Sequence, residues 1–179
     1  MSAEAAAAPM AGVFRRVAAA VYDCLPLFAL TVIATFFFLP FLHGRVLVPR
    51  EVGALAYLYW LVQIVVIGGF YVYFWTRKGQ TIGMLPWRLR LQTPEGALID
   101  LRTAVLRISI GLALWLPFFV GYWEIWGHWT NRTARMVAMC ASLAPVVLCY
   151  LWIWIDRDGL AWHDRLTRTR VIVLPRRKR

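Results

Sequence analysis

The sequence predicts an all-α membrane protein, a four-transmembrane-helix bundle with a small cytoplasmic β-hairpin or strand cap. Three observations carry this. Hydrophobic residues make up 61% of the 179 residues, well above the roughly 45–50% of a soluble domain, and mean hydropathy is +0.61. Four apolar stretches each approach or exceed the roughly 20 residues that cross a ~30 Å hydrocarbon core. Basic residues collect in alternate connections, as the positive-inside rule requires.

The expected spans run Val17–Leu42, Ala54–Trp75, Ile108–Trp126 and Met136–Ile155. The second contains no charged residue. The first carries Asp23, Pro26 and Pro40, and Pro26 is a candidate kink. A signal peptide is the rival reading of the first span, because Arg15 and Arg16 precede it. Its length, Asp23 and the lack of a small-x-small cleavage site argue for a retained helix. Ala-rich residues 1–13 read as a disordered tail, residues 14–174 as one membrane domain, and residues 175–179 as a basic tail.

Charge location sets both class and orientation. The formal net charge is +11, from 20 Lys+Arg against 9 Asp+Glu. A soluble chain of that balance would suggest nucleic acid, but these residues flank apolar spans and suit anionic lipid headgroups instead. With the N-terminus inside, all basic residues except Arg45, Arg50, Arg132 and Arg135 fall on the cytoplasmic side. The expected location is therefore the inner (plasma) membrane, multi-pass, with both termini cytoplasmic.

Between the second and third spans, Arg88-Leu89-Arg90-Leu91 alternates, Thr93-Pro94-Glu95-Gly96 is a turn and Ala97-Leu98-Ile99 resumes the apolar pattern, which reads as a β-hairpin. Asp100 is placed to N-cap a helix that merges into span three. Residues 168–174 are β-branched and suited to a third strand, so loop and tail should fold together. Trp75, Trp123, Trp126, Trp129, Trp152, Trp154 and Trp162 sit near span ends and read as an interfacial belt. Cys24, Cys140 and Cys149 read as small buried hydrophobes, and the last two, nine residues apart, fall on opposite helix faces. Gly68-Gly69 suits close helix packing.

Three segments in order carry a family resemblance. They are Phe14-Arg15-Arg16-Val17-Ala18-Ala19-Ala20-Val21-Tyr22-Asp23; Gly79-Gln80-Thr81-Ile82-Gly83 followed by Trp87-Arg88-Leu89-Arg90-Leu91; and His163-Asp164-Arg165-Leu166-Thr167-Arg168-Thr169-Arg170-Val171. Together they resemble the RDD membrane proteins, named for one arginine and two aspartates. The resemblance implies that Arg16, or Arg15, is the arginine, Asp23 the first aspartate and Asp164 the second. Relatives commonly read Lys-x-x-x-Gly-Leu-Arg-Val after GQTxG. Here Met84-Leu85-Pro86-Trp87-Arg88-Leu89 stands there, so a basic residue often present in that turn is missing, together with any headgroup or substrate contact it makes. The family is bacterial and archaeal, is suggested to transport an unidentified ligand, and implies fold and location more than activity.

Asp23 is the sharpest candidate, because an ionisable residue within a span is costly and usually faces the bundle interior. It is either a proton or cation site, or the ion-pair partner of Arg16, one helix face and about 10 Å away, or of Arg107. Asp164 either ties the tail to the loop, as a cap or through a salt bridge, or works with His163 as a proton acceptor; Arg165 lies beside it. His43, Glu124 and His128 form at most a loose cluster at the outer mouth, and no metal or other cofactor is expected. No nucleophile elbow or phosphate loop occurs, so no enzyme is expected. Two functions remain: a small transporter or proton/cation-coupled carrier working as an oligomer, and a non-transporting scaffold or assembly partner that binds another protein through its cytoplasmic face.

Overall fold

The computed structural model describes residues 9–128 and 131–175, without the side chains of Arg50 and of residues 120–128. Glu124 and His128, as candidate ligands, and Trp123, Trp126 and Trp129 of the expected belt lie outside the described residues.

Helix α1 spans Val13–Phe36 and passes through Pro26 without interruption. The chain breaks instead at Phe37, after which Pro40 sits in the first turn of the short α2, Leu39–Leu42; proline is tolerated there because that amide has no intrahelical acceptor. A second short helix, α3 (Pro49–Val52), leads through Gly53 into α4, Ala54–Arg77. Strand β1 is Leu89–Gln92 and α5 is Leu101–His128. The fourth apolar stretch is two helices, α6 (Arg132–Ser142) and α7 (Ala144–Ile155), bent by 45°. Pro145 at the start of α7 explains the break, since its ring cannot continue the α6 ladder. A short helix α8 (Trp162–Leu166) and strand β2 (Arg170–Val173) complete the described chain.

Among the described residues, three helices are long and apolar enough to cross a membrane, and four if the bent pair is one span. Their outer faces expose large apolar residues such as Phe28, Phe36 and Leu61, which fits lipid contact and not water. Helix α4 packs against both α1 and α5. Gly68 faces α5: a Cβ there would lie 3.7 Å from Ile108, as the small-residue packing reading expects. Cys149 is buried, but Cys24 and Cys140 are exposed on the bundle's outer face, contrary to the sequence reading; all three are free thiols.

One end of the bundle carries a cap that the sequence predicted in outline but not in pairing. Residues 97–99 do not form a ladder with β1. Instead β1 pairs antiparallel with β2, Leu89 opposite Val173 and Gln92 opposite Arg170. The tail thus supplies the second strand, not the third. The free edge of β2 is taken by the N-terminal segment: Ala11 N–H donates to the Val171 carbonyl (2.8 Å) and Val173 N–H to that of Pro9 (2.9 Å). Residues 9–11, expected to be disordered, are thus ordered. The other edge of β1 is covered too, because Leu91 N–H donates to the Gly79 carbonyl (2.7 Å) and the Gln80 amide to that of Leu89 (2.6 Å). Leu89, Leu91, Ile99 and Val171 form the cap's apolar core with Ala11, Ala19 and Ala104 of the first and third long helices and their approach. Asp100 caps α5 as expected, accepting from the Thr103 amide at 3.0 Å.

Candidate functional site

Two buried carboxylates lie where the cap meets the helices, and they are held in opposite ways. Asp164, in the third position of α8, is fully buried. Its Oδ2 accepts from Arg16 Nη1 and from the Ala161 amide (3.3 Å), and its Oδ1 from Arg107 Nη2 at 2.5 Å, with His163 Nε2 at 3.4 Å. Both oxygens of the carboxylate are therefore engaged, each by one guanidinium. Arg107 is fixed on its far side, donating through Nη1 to Thr169 Oγ1 (2.6 Å) and lying 5.4 Å from the centre of the Trp75 ring. Trp75 is thus turned inward as a cation–π platform and not placed in the expected lipid belt. Arg16 Nε donates to the Ala11 carbonyl at 2.8 Å.

Burial opposes the charged form of Asp164, but the Arg107 and Arg16 guanidiniums outweigh it and hold the carboxyl well below the usual carboxylate range. His163 is pushed down to about 3, first by burial and then by Arg107, against the pull of Asp164. It therefore stays neutral at physiological pH, with Nδ1 3.2 Å from Cys149 Sγ. Because the unfolded chain holds a proton on this histidine between pH 3 and about 6.5 while the folded chain does not, stability falls as pH drops below about 6.5, by up to ~1.4 kcal/mol per unit. His163→Gln, which can still accept from the thiol and donate to Asp164, should flatten the dependence of melting temperature on pH between about 6.5 and 4.5. An unchanged slope in the variant would refute the assignment.

Asp23 is 3% exposed and sits inside α1, yet neither Arg16 nor Arg107 pairs with it. The ion pair expected from the shared helix face is absent because both guanidiniums turn to Asp164. Asp23 is held by two neutral donors of the loop after α4: Thr81 Oγ1 donates to Oδ2 at 2.6 Å and Gly83 N–H to Oδ1 at 2.7 Å. This contact explains the GQTIG sequence. Gly79 has a φ of +68° and a Cβ there would meet the Leu91 carbonyl oxygen at 2.7 Å; a Cβ on Gly83 would lie 2.2 Å from the Ala19 carbonyl oxygen. Gln80 pins β1, and Thr81 and Gly83 grip Asp23. Trp87 packs edge-on against Phe14 and Tyr22 of α1, so an aromatic contact ties this turn to the helix.

Farther along the same two helices, Gln63 Nε2 donates to Thr35 Oγ1 (3.0 Å), which is 3.1 Å from Tyr59 Oη. The interior between α1 and α4 therefore carries polar groups beyond Asp23. Arg165 stays outside the cluster: 55% exposed, it pairs with Asp156 and Asp158 at 2.6 and 3.3 Å. Arg15 makes no ion pair among the described residues. Sequence reading did not single out Thr167, Thr169 or the Ala11 carbonyl, although both threonines lie in the quoted HDRLTRTRV segment. No group of three or more His, Cys, Asp or Glu placed to hold a metal occurs among the described residues.

A bundle of apolar helices, with one buried carboxylate locked by two arginines and another clamped by the loop that follows α4, defines a membrane-type protein with a polar interior at one end. The RDD family profile matches residues 10–168, so the chain belongs to the RDD family. No curated protein and no solved structure matches it significantly.

Proposed function

We propose that this chain is a small proton- or cation-coupled membrane carrier in which Asp23 is the coupling carboxylate. One observation carries the reading: Asp23 is buried within a spanning helix and, among the described residues, is held only by neutral donors, whereas Asp164 meets a guanidinium on each oxygen. Buried ionisable residues in spans mark proton or ion pathways when no fixed counter-charge explains them. The Thr81 hydroxyl can donate to a charged Oδ2 and accept from a protonated one, so the clamp tolerates both states. The polar contacts of Thr35, Tyr59 and Gln63 support a continuation of the path along α1 and α4.

The ligand is a proton exchanged for, or moved with, a small solute or cation, and an oligomer supplies the room that four helices lack. We place it in the inner membrane with both termini cytoplasmic, from the distribution of basic residues, and with its basic face against anionic lipid. Purified protein in sealed vesicles carrying an internal pH dye should acidify or alkalinise the lumen when a cation gradient is imposed. Asp23→Asn should abolish that response while losing only about 1 kcal/mol of stability, since Asn keeps an acceptor for Gly83. Retained proton movement in the variant would exclude Asp23 as the coupling site. Absence of flux in the wild type, with a stoichiometric protein partner after gentle purification, would favour the scaffold reading.

A further inference from the structure

The segment that joins α4 to β1 is uncharged where the chain on either side of it is basic. Between Lys78 and Arg88 it reads Gly79-Gln80-Thr81-Ile82-Gly83-Met84-Leu85-Pro86-Trp87. Ile82 and Leu85 are 44% and 54% exposed, and Pro86 is exposed beside them. Scattered apolar side chains on a turn are unexceptional in water. What these three face depends on how deep along the bundle they lie.

That depth follows from the register of α1 against α4. Gln63 Nε2 donates to the Thr31 carbonyl at 3.3 Å, and Tyr59 Oη lies 3.1 Å from Thr35 Oγ1. The two helices are therefore antiparallel, and four residues forward on α1 is four back on α4. Asp23, eight residues before Thr31, falls level with Tyr71, eight after Gln63, and the two side chains are within electrostatic reach of each other. Arg77, exposed at the end of α4, stands six residues beyond Tyr71, about 9 Å further out at 1.5 Å per residue. Thr81 and Gly83 nevertheless grip Asp23. The chain must turn back at Gly79, whose φ is +68°, and residues 81–83 end up ~9 Å closer to the middle of the bundle than the charged end of α4.

At that level the turn lies beside the outward face of a spanning helix, where Tyr22 and Leu25 are exposed and Trp87 packs on Phe14 and Tyr22. Irregular chain at membrane depth must satisfy its polar backbone from the protein, and much of this turn is folded on itself. Met84 N–H donates to the Thr81 carbonyl (3.2 Å), Leu85 N–H to that of Ile82 (3.3 Å) and Leu89 N–H to that of Met84 (3.0 Å), while Pro86 has no N–H to satisfy.

We propose that residues 82–86 form a membrane-dipping turn whose outer side chains, Ile82, Leu85 and Pro86, contact the acyl chains of the bilayer and continue the lipid-facing surface of α1. Lys78 and Arg88 bracket the turn with side chains long enough to reach headgroups, and Trp87 beside Arg88 supplies an amphipathic anchor between the two zones. One short segment thus meets hydrocarbon on its outer side and holds the Asp23 carboxylate on its inner side. This inference rests on the spanning helices and not on the carrier reading.

Site-directed spin labelling tests it in full-length protein reconstituted into phosphatidylcholine vesicles. Cys24 and Cys140, the exposed native thiols, are replaced by alanine, and single cysteines are introduced as Ile82→Cys and Leu85→Cys. Phe28→Cys, on the exposed face of α1, is the lipid reference, and Glu95→Cys, exposed in the turn after β1, is the water reference. Collision with oxygen, which concentrates in hydrocarbon, is compared with collision with a water-soluble nickel chelate. Labels at 82 and 85 should show an oxygen-to-nickel ratio close to that of Phe28→Cys and several-fold above that of Glu95→Cys. Nickel access equal to that of Glu95→Cys at either position would overturn the proposal, and so would exclusion of both reagents, which would mean that a second copy or another protein covers the turn. Should the nitroxide disturb the turn, the unlabelled cysteines, smaller than the side chains they replace, should react many-fold more slowly with a charged maleimide in vesicles than Glu95→Cys does, and equal rates would overturn the proposal as well.

Discussion

Asp164→Asn is expected to be the most damaging single substitution at the interface between cap and helices, lowering stability by about 3–5 kcal/mol, a fall in melting temperature on the order of 10 °C. The side chain keeps its shape, so the loss comes from charge. Arg16 and Arg107, each about nine-tenths buried or more, would be left without a counter-ion in a region they cannot leave, since Arg107 is also tied to Thr169 and Trp75 and Arg16 to Ala11. The asparagine amide would also point donors at a guanidinium. Three chain regions would come loose together: the start of α1, the start of α5, and the α8–β2 tail. The folded carboxyl titrates below its unfolded value, so its contribution is present above the usual carboxylate range and is lost as pH falls through the folded value. Thermal unfolding of Asp164→Asn and Asp23→Asn at neutral pH separates the two aspartates. Equal losses would mean that the double pairing of Asp164 is not what holds the cap in place.

The second large effect is expected at Gly83. Gly83→Ala puts a Cβ 2.2 Å from the Ala19 carbonyl oxygen, 2.6 Å from the Asp23 amide nitrogen and 2.9 Å from Asp23 Cγ. Two of these contacts are with backbone, so no rotamer change relieves them and the loop must withdraw from α1. Withdrawal breaks both hydrogen bonds to Asp23. Overpacking of about 1–3 kcal/mol and a buried acceptor left unsatisfied at a similar cost together predict a loss of about 3 kcal/mol or more. Gly69→Ala, where an added Cβ meets nothing within 4 Å, should be neutral or mildly stabilising in comparison. Hydrogen exchange at the Gly83 amide should accelerate in a Thr81→Ala protein as well, because Thr81 holds the other oxygen of the same carboxylate. An unperturbed Gly83→Ala melting curve would show that the loop does not approach α1 this closely.

The substitutions also mark how far the sequence can be read. Periodicity and length were enough for α4, which has no charge to interrupt it, and for the Asp100 cap, because a capping bond is made within four residues of its own chain. The alternation of residues 88–91 and the β-branched tail were legible as strand material for the same local reason. The partner of β1 was not, since a nearby turn at residues 93–96 and a tail eighty residues away offer the backbone equivalent hydrogen bonds, and only the packing of Leu89, Leu91 and Val171 onto Ala19 and Ala104 selects the tail. The break between α6 and α7 was overlooked although Pro145 signals it, because hydropathy averages over a proline.

By itself, the sequence determined the membrane class, the apolar spans and the family motifs, all of which rest on composition and on interactions between near neighbours. Which charges meet was decided only by the tertiary structure. Arg16 and Asp23 share a helix face and still do not pair, because a guanidinium placed at the helix end reaches the tail carboxylate and the Ala11 carbonyl more readily than a group about 10 Å further in. That choice leaves Asp23 to the neutral donors of the loop and Asp164 to two arginines. The energy of a buried charge depends on the distance and number of its partners in space, which are long-range quantities that spacing along the chain does not encode.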